Sequence, residues 1–567
     1  MSEEFDVIVV GSGMSGGWAA KEFTEKGFKT LVLERGRHVE HQTDYVGEGL
    51  GPWEMKFRDR VNRKLSNSEY PTQEKCYAFL DSTKHFFVND KEHPYSQEEG
   101  KEFSWIRGYH TGGRSLTWHR QSYRLGDLDF EANKKDGHGV DWPIRYKDIE
   151  KWYDHVETFA GITGNNDGIP HLPDGKFQPP MELNCVEKVI KERMQNLYGD
   201  ERQLIIGRAA HLTEPTEEQQ ALGRGTCQNR NQCQRGCSFG AYFSSLSATL
   251  PAARNTGNLT IFNNAIVESL EYDPETKRAS GVRVIDAESK VGKTYKAKVV
   301  FMCASTLGTT QILLNSTSET FQNGFANGSG TLGHYLMDHL YAQGASGEFE
   351  GSEDKYYVGR RATGIYIPRF QNLNGKQEKY YRGFGYQGSA QRLGWREGTS
   401  KKGFGADFKE SFKTPGPWTF SISGFGEMLP DYKNHVSLHK TKKDQWGIPL
   451  LHIDCEYGEN DWTMRREIVD VTVQMLKDLG LKNVKGYLNE NAKPGIGIHE
   501  MGTARMGHDP KTSVLNGHNQ CHEVDNVFVT DGACMTSSAC QNPSLTYMAL
   551  TARAVEFASS ELKSGKL

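Results

Sequence analysis

Residues Phe5–Glu34 read FDVIVVGSGMSGGWAAKEFTEKGFKTLVLE. Phe5–Val10 is a short, nearly continuous apolar run, the pattern of a parallel strand buried on both faces. Gly11, Gly13 and Gly16 follow with the spacing G-x-G-x-x-G. Ala19–Lys26 has helical composition and stops at Gly27. Thr30–Leu33 reads as a second strand ending on Glu34, twenty-three positions after Gly11. This is one βαβ unit. Its glycines permit a tight turn and let backbone approach a pyrophosphate, which rests on the helix N-terminus, and the acidic residue offers oxygens to a ribose hydroxyl. The glycine spacing alone is a weak signal, compatible with a Gly-rich turn that binds nothing; between two strands, with the acid in register, it points to a bound dinucleotide.

Outward from this unit, residues 40–104 are polar, aromatic-spotted and aperiodic, an excursion rather than a further βαβ repeat. Arg107–Arg120 (RGYHTGGRSLTWHR) is dense in Gly, His and Trp, and a helix is expected over Lys147–Thr158. Asn258–Asp273 and Ala279–Asp286 alternate apolar and polar residues across a polar turn, the pattern of a β-meander. Lys298–Cys303 reads as a buried strand and Thr306–Leu314 as the helix after it. Between about 340 and 490, aromatic-rich runs such as Trp418–Gly424 and Leu450–Cys455 suggest a largely antiparallel domain inserted in the first. Asn526–Asp531 is a last strand and Leu545–Leu562 a closing helix.

A chain of 567 residues exceeds one simple core. Net charge −4 and a pI near 6.6 argue against nucleic acid or an anionic membrane surface as the main partner. No apolar run reaches the ~18 residues of a membrane span. The N-terminus enters a strand at once, without a basic region or cleavage site, so no export signal of its own and a cytoplasmic, reducing setting are expected. Of the ten cysteines, seven are scattered and three, Cys227, Cys233 and Cys237, are clustered.

The fingerprint, GGRSLTW, DLDF, DWPIRYKDIEKWY, ASTLGTTQILLNS, LGHYLMDH, HEMGTARMG and NPSLT, in this order along nearly the whole chain, resemble the glucose-methanol-choline (GMC) flavoprotein oxidoreductases. The closer likeness is to sugar-oxidising members: pyranose 2-oxidase and the large subunits of bacterial FAD-dependent glucose, fructose, gluconate and glucoside 3-dehydrogenases. The resemblance implies an α/β fold (α+β overall), with a discontinuous Rossmann-like FAD-binding domain (1–40, 105–165, 200–335, 495–567) and an inserted, largely antiparallel substrate-binding domain with its excursions (41–104, 166–199, 336–494). It implies FAD held at Gly11, Gly13, Gly16 and Glu34, at Gly112, Gly113, Ser115, Thr117 and His119, and at Asp531 and Gly532. Thr117 stands where pyranose 2-oxidase carries the His that links its flavin covalently. A Thr hydroxyl cannot form that bond, so non-covalent FAD is expected. His119 is either near the flavin's reactive edge or a satisfied polar residue beside Trp118.

His499 precedes Gly-Thr as the family's catalytic His does, and Asn542 holds the position of a His or Asn in relatives. Alcohol oxidation removes a hydroxyl proton and a carbinol hydride; a neutral imidazole is the natural base. An Asn amide orients the same hydroxyl without competing for its proton. From the residues alone, His499 also reads as a buried structural histidine and Asn542 as a turn-forming Asn-Pro.

Cys227, Cys233 and Cys237 have the spacing C-x5-C-x3-C. Thiolates are soft ligands for iron–sulfur clusters or zinc, and three without a fourth argue against structural zinc. The resemblance implies a [3Fe-4S] cluster that relays electrons, with a small subunit and a cytochrome as partners, and export to the periplasm with the small subunit. The alternative is three reduced thiols in a loop. The expected activity is dehydrogenation of a secondary hydroxyl of a sugar or glycoside, C3 favoured. Its rivals are an oxygen-using sugar oxidase, a non-catalytic flavin/iron–sulfur electron-transfer subunit, and an NAD-dependent enzyme.

Overall fold

The computed structural model describes residues 4–51, 53–356, 363–373, 375–394 and 401–567. The opening apolar run forms β1 (Phe5–Val10), followed by α1 (Met14–Glu25) and β2 (Thr30–Leu33). With β3 (Leu259–Phe262), β4 (Ala297–Met302) and β5 (Val527–Val529) they build a five-stranded, all-parallel sheet in the order β5-β4-β1-β2-β3. The inner strands are covered on both faces, which is why they are largely apolar rather than alternating, while the edge strand β3 is only half-buried. On one face Val7, Val9, Val32, Val299, Phe301 and Phe528 pack on Ala19, Ala20 and Phe23 of α1 and on Val555 of the closing helix, Ser544–Lys563. On the other, Ile8, Val10, Leu31, Leu33, Val300 and Met302 share a core with Val267, Leu270, Val282 and Val284. Phe301 stacks on Phe528 at 4.8 Å and meets Phe23 edge-on at 4.9 Å. Cutting such a side chain to Ala costs about 3–5 kcal/mol.

Two expectations shift. Helix α1 begins at Met14, five residues before the helical composition does. Gly16 lies inside it because helix and turn touch there: a Cβ on Gly16 would stand 2.0 Å from the Gly11 carbonyl oxygen. The run Asn258–Asp273 is not one meander strand. It breaks at Asn264, whose φ is +55°, so that Leu259–Phe262 becomes the edge strand β3 of the parallel sheet. The meander is Ala265–Asp273, Arg278–Asp286 and Gly292–Tyr295. Alternation along the sequence cannot distinguish one strand from two at an Asn that adopts the left-handed region.

The second layer is a seven-stranded antiparallel sheet. Its path runs Lys482–Leu488, Gln343–Phe349, Trp418–Glu427, Phe384–Arg392, Ile365–Ile367, Ile205–Ile206, with His339–Leu340 paired to Gly426 and Glu427. Ile205–Ile206, from a stretch expected with the nucleotide domain, pairs here with Ile365 and Tyr366. The period of two is clean. Trp418, Phe420 and Ile422 join Phe384, Tyr386 and Ala390 in a core with Met464, Ile468 and Met475 of the helix Glu459–Asp478. The opposite face presents Ser423, Phe425, Gln387, Ser389 and Gln391 to a cavity. Among the described residues no helix is long and apolar enough to cross a membrane.

Candidate active site

The cavity, of about 530 Å³, lies between the carboxyl ends of the parallel strands and the polar face of the antiparallel sheet. Ends of that kind are where open α/β sheets hold ligands. Gly11 closes β1 with φ +98°, and a Cβ there would meet the Cys303 carbonyl oxygen at 2.5 Å. Gly13, the N-cap of α1, is different: its φ is −72° and a Cβ on it would have nothing nearer than the Gly112 oxygen at 3.9 Å. Packing within the chain does not require glycine at 13. The open space over this uncapped helix N-terminus leaves room for close passage of a ligand, and the pyrophosphate of FAD fits there. The hydroxyl of Tyr547, on the same wall, is buried with no partner among the described residues.

Gly11, Gly13, Glu34, Gly113, Ser115, Thr117, His119, Asp531, Gly532, His499 and Asn542 all line this one cavity. Gly16 and Gly112 stand behind it and shape the turn. Gly112, at φ +87°, donates its N–H to Ser12 Oγ at 2.9 Å. Glu34 is already bonded: its oxygens accept from Ser12 N at 3.1 Å, Ser12 Oγ at 2.5 Å and Gly36 N at 2.9 Å. A carboxylate has about four acceptor sites, so one is left for a ribose hydroxyl. Ser115 Oγ donates to the Gly112 oxygen at 2.6 Å and accepts from Ser245 N at 3.0 Å, so it buttresses the turn. Asp531 accepts from Thr309 Oγ1 at 2.5 Å and Ala533 N at 3.0 Å, and burial lifts its carboxyl to about 6. Burial, aided by the Arg120 charge, holds His119 down at about 4.

His499 and Asn542 each reach a residue of the antiparallel sheet. His499 Nδ1 is 2.8 Å from His339 Nδ1, and His339 Nε2 faces the carbonyl oxygens of Ala539 at 2.9 Å and Ser538 at 3.3 Å. Burial holds the His499 ring well below the usual histidine range, with the Arg114 charge adding to it. Its Nε2 has no partner among the described residues and the ring lines the cavity. The main chain leading to His499 is strained: Ile498, a β-branched residue, sits at φ +58°, a cost of about 1–3 kcal/mol. Asp338 holds it there, accepting from the backbone N–H of Gly495 at 2.7 Å, Gly497 at 2.9 Å and His499 at 3.0 Å. Asn542 Oδ1 accepts from Gln387 Nε2 at 2.5 Å, which leaves Asn542 Nδ2 without a partner among the described residues. Arg114 clamps Glu500 through two bonds, 3.2 and 2.8 Å, beside the same wall.

Sequence reasoning missed His339, Asp338, Gln387 and the Arg114–Glu500 pair. The first two lie in LGHYLMDH and the last in GGRSLTW and HEMG, so the motifs were visible without their roles. Gln387 had no signal, since a strand residue facing inward looks like any other.

The three cysteines lie off the cavity wall, which their loop reaches only through Asn231. Cys233 Sγ is 3.6 Å from His211 Nε2, and burial pushes its thiol up to about 11 against the neighbouring Arg120 charge. None of the ten cysteines is in a disulfide. Among the described residues no group of three His, Cys, Asp or Glu side chains is arranged to hold a metal ion.

Comparison with known proteins agrees with this architecture. The N- and C-terminal parts of the GMC oxidoreductase family pattern match residues 6–341 and 430–551. The chain is 26% identical to 2-methyl-1,2-propanediol dehydrogenase of Mycolicibacterium austroafricanum over 98% of its own length and 96% of that protein. It is 25% identical to the fructose dehydrogenase large subunit of Gluconobacter japonicus, over 99% and 98%. In fold it is similar to the crystal structure of pyridoxine 4-oxidase from Mesorbium loti, with TM-score 0.58, 15% identity and coverage of 98% and 99%. The chain belongs to the GMC oxidoreductase family, FAD-binding enzymes that oxidise alcohol- and sugar-type substrates.

Proposed function

We propose that the protein is a dehydrogenase that oxidises a secondary hydroxyl of a sugar or glycoside to a ketone, C3 favoured, with non-covalent FAD and an electron acceptor other than dioxygen. The observation that carries the reading is the pair of unpartnered polar atoms in the cavity, His499 Nε2 and Asn542 Nδ2. With the His499 ring kept neutral by burial, one atom accepts and the other donates. A substrate hydroxyl between them gives its proton to His499 and accepts from Asn542. That second bond strengthens as charge develops on the oxygen. FAD, held at Gly11, Gly13, Glu34 and Asp531, supplies the acceptor for the carbinol hydride.

The facing wall supports a sugar. Thr363, Gln387, Ser389, Gln391 and Ser423 offer neutral hydrogen-bonding groups, and Tyr341 stacks on Phe425 at 4.9 Å to give an aromatic surface. Such a mix suits a hydroxyl-rich ring with one apolar face. The C3 preference has the family resemblance as its support, and Thr117 on the wall supports non-covalent FAD. Relatives named as dehydrogenases support an acceptor other than dioxygen. A [3Fe-4S] relay through Cys227, Cys233 and Cys237, and a partner subunit to receive its electrons, have only spacing and resemblance behind them; no step is assigned to them.

The test follows oxidation of D-glucose, D-fructose and methyl glucosides by reduction of a dye acceptor and, in parallel, by oxygen uptake. Dye reduction should exceed oxygen uptake, acid precipitation should release the flavin, and His499→Ala should lower kcat by about 10²–10⁴. Unchanged turnover in that variant, or oxygen uptake as fast as dye reduction, overturns the reading.

A further inference from the structure

We infer that His339 is a positioning residue that fixes the tautomer of His499, so that the nitrogen facing the cavity is the one without a proton. The inference rests on the reading of His499 as the base and deepens it.

The geometry leaves one assignment of protons. His339 Nε2 faces only carbonyl oxygens, those of Ala539 at 2.9 Å and Ser538 at 3.3 Å, and carbonyls only accept. That nitrogen therefore carries the hydrogen. His339 is fully buried, and burial holds it down at about 4, so near neutral pH the ring has one proton and its Nδ1 is a bare lone pair. His499 Nδ1 lies 2.8 Å away. Two bare nitrogens at that separation repel, so the hydrogen of the bond belongs to His499 Nδ1. In a neutral imidazole the other nitrogen, Nε2, is then the acceptor. An isolated imidazole divides itself between two tautomers. Here a chain from main-chain carbonyl to His339 to His499 selects the one that accepts a proton from the cavity. When the hydroxyl proton arrives on Nε2, the Nδ1–H bond to His339 persists and steadies the cation.

The placement of His339 fits that role. It sits on the short strand His339–Leu340, held in register by Glu427 and Gly426. Its neighbour Asp338 gathers three backbone N–H groups of the loop that ends at His499. The two consecutive residues thus hold the main chain and the ring of His499 separately. The carbonyls that orient His339 belong to residues 538 and 539, just before Asn542, so one imidazole ties together both segments that carry the chemistry. The charged groups near His499 are the Asp338 carboxyl and the Arg114–Glu500 pair, and neither is bonded to its ring.

The test compares His339→Gln with His339→Phe in the FAD-loaded enzyme, using methyl glucoside or D-glucose and a dye acceptor. Glutamine can accept from His499 Nδ1–H and donate to Ala539; phenylalanine can do neither. The expectation is that Gln keeps kcat within about tenfold while Phe lowers it on the order of 10²-fold, with KM little changed in both. The acid limb of the Phe variant's kcat profile should also move to lower pH, because the cation has lost its acceptor. Equal losses in the two variants, or no loss in either, overturn the inference. His499→Ala is run alongside: if it leaves kcat intact the base assignment itself falls, whereas if it abolishes kcat and Phe at 339 does not, only the role of His339 falls. A nitrogen-15 histidine spectrum of the wild-type holoenzyme decides the matter whatever the variants' folding. The signals lost in His499→Asn should report a protonated Nδ1 and a bare Nε2; the reverse pattern overturns the inference.

Discussion

Replacing Gly13 by Ala separates what the chain needs from what its ligand needs. Gly13 caps α1 at φ −72°, and the nearest protein atom to an added Cβ is the Gly112 oxygen at 3.9 Å. The apoprotein should therefore tolerate the methyl group, losing at most about 1 kcal/mol for the poorer N-cap. The cofactor should not. A methyl group forced between backbone and a closely packed pyrophosphate is an overpacking defect of about 1–3 kcal/mol, or about 5- to 150-fold in the FAD dissociation constant. Gly16→Ala is the contrast, because its Cβ would be 2.0 Å from the Gly11 oxygen, backbone against backbone. It should depress both apoprotein melting and FAD binding. The assay is calorimetric melting of the apoproteins together with FAD titration followed by flavin fluorescence. Wild-type FAD affinity in Gly13→Ala would refute the argument that a ligand explains this glycine. So would apoprotein melting lowered as far as in Gly16→Ala.

Gln387→Glu should reverse the bond to Asn542: a carboxylate can only accept, so the amide must turn its nitrogen to residue 387 and its oxygen to the cavity. Stopped-flow flavin reduction should slow by about tenfold or more, and more than in Gln387→Leu, which only frees the amide; equal effects would count against an oriented Asn542. Asp129 is buried, accepts from Gly126 N at 2.9 Å and Gln541 Nε2 at 3.0 Å, and burial with the nearby Glu427 raises its carboxyl to about 7. A raised folded-state value means the protonated form favours folding, so this contribution is full below about pH 4 and is lost as pH rises through 7, up to about 4 kcal/mol. In Asp129→Asn that loss disappears, and the difference in melting temperature between variant and wild type should grow in the variant's favour from pH 4 to 7.5; parallel curves would show that the carboxyl is not so perturbed.

The parts of the fold that were legible in the sequence are those set by local pattern. Continuous apolar runs marked β1, β2 and β4, because a parallel strand covered on both faces has no polar side to show. An aromatic-rich run marked Trp418–Gly424, and the strand there, Trp418–Glu427, has one side in a core and one in a cavity. The error at Asn258–Asp273 has the same origin: period two continues across Asn264 even though the chain turns there and changes sheets. His499, Asn542 and the fingerprint glycines were legible through short motifs, and all but Gly16 face the cavity.

The sequence by itself determined the family and marked the Gly-rich turn and the two cavity residues His499 and Asn542, because each is encoded in residues adjacent along the chain. Only the tertiary structure decided the polarity of that pair. His499 meets His339 across 160 positions, and Asn542 meets Gln387 across 155. Which nitrogen holds a proton, and which end of an amide faces the cavity, depends on the partner behind each group. Side chains acquire those partners only when distant strands come together. The cysteines show the converse: C-x5-C-x3-C states which thiols are available, but the fold decides that Cys233 Sγ meets His211 Nε2 at 3.6 Å.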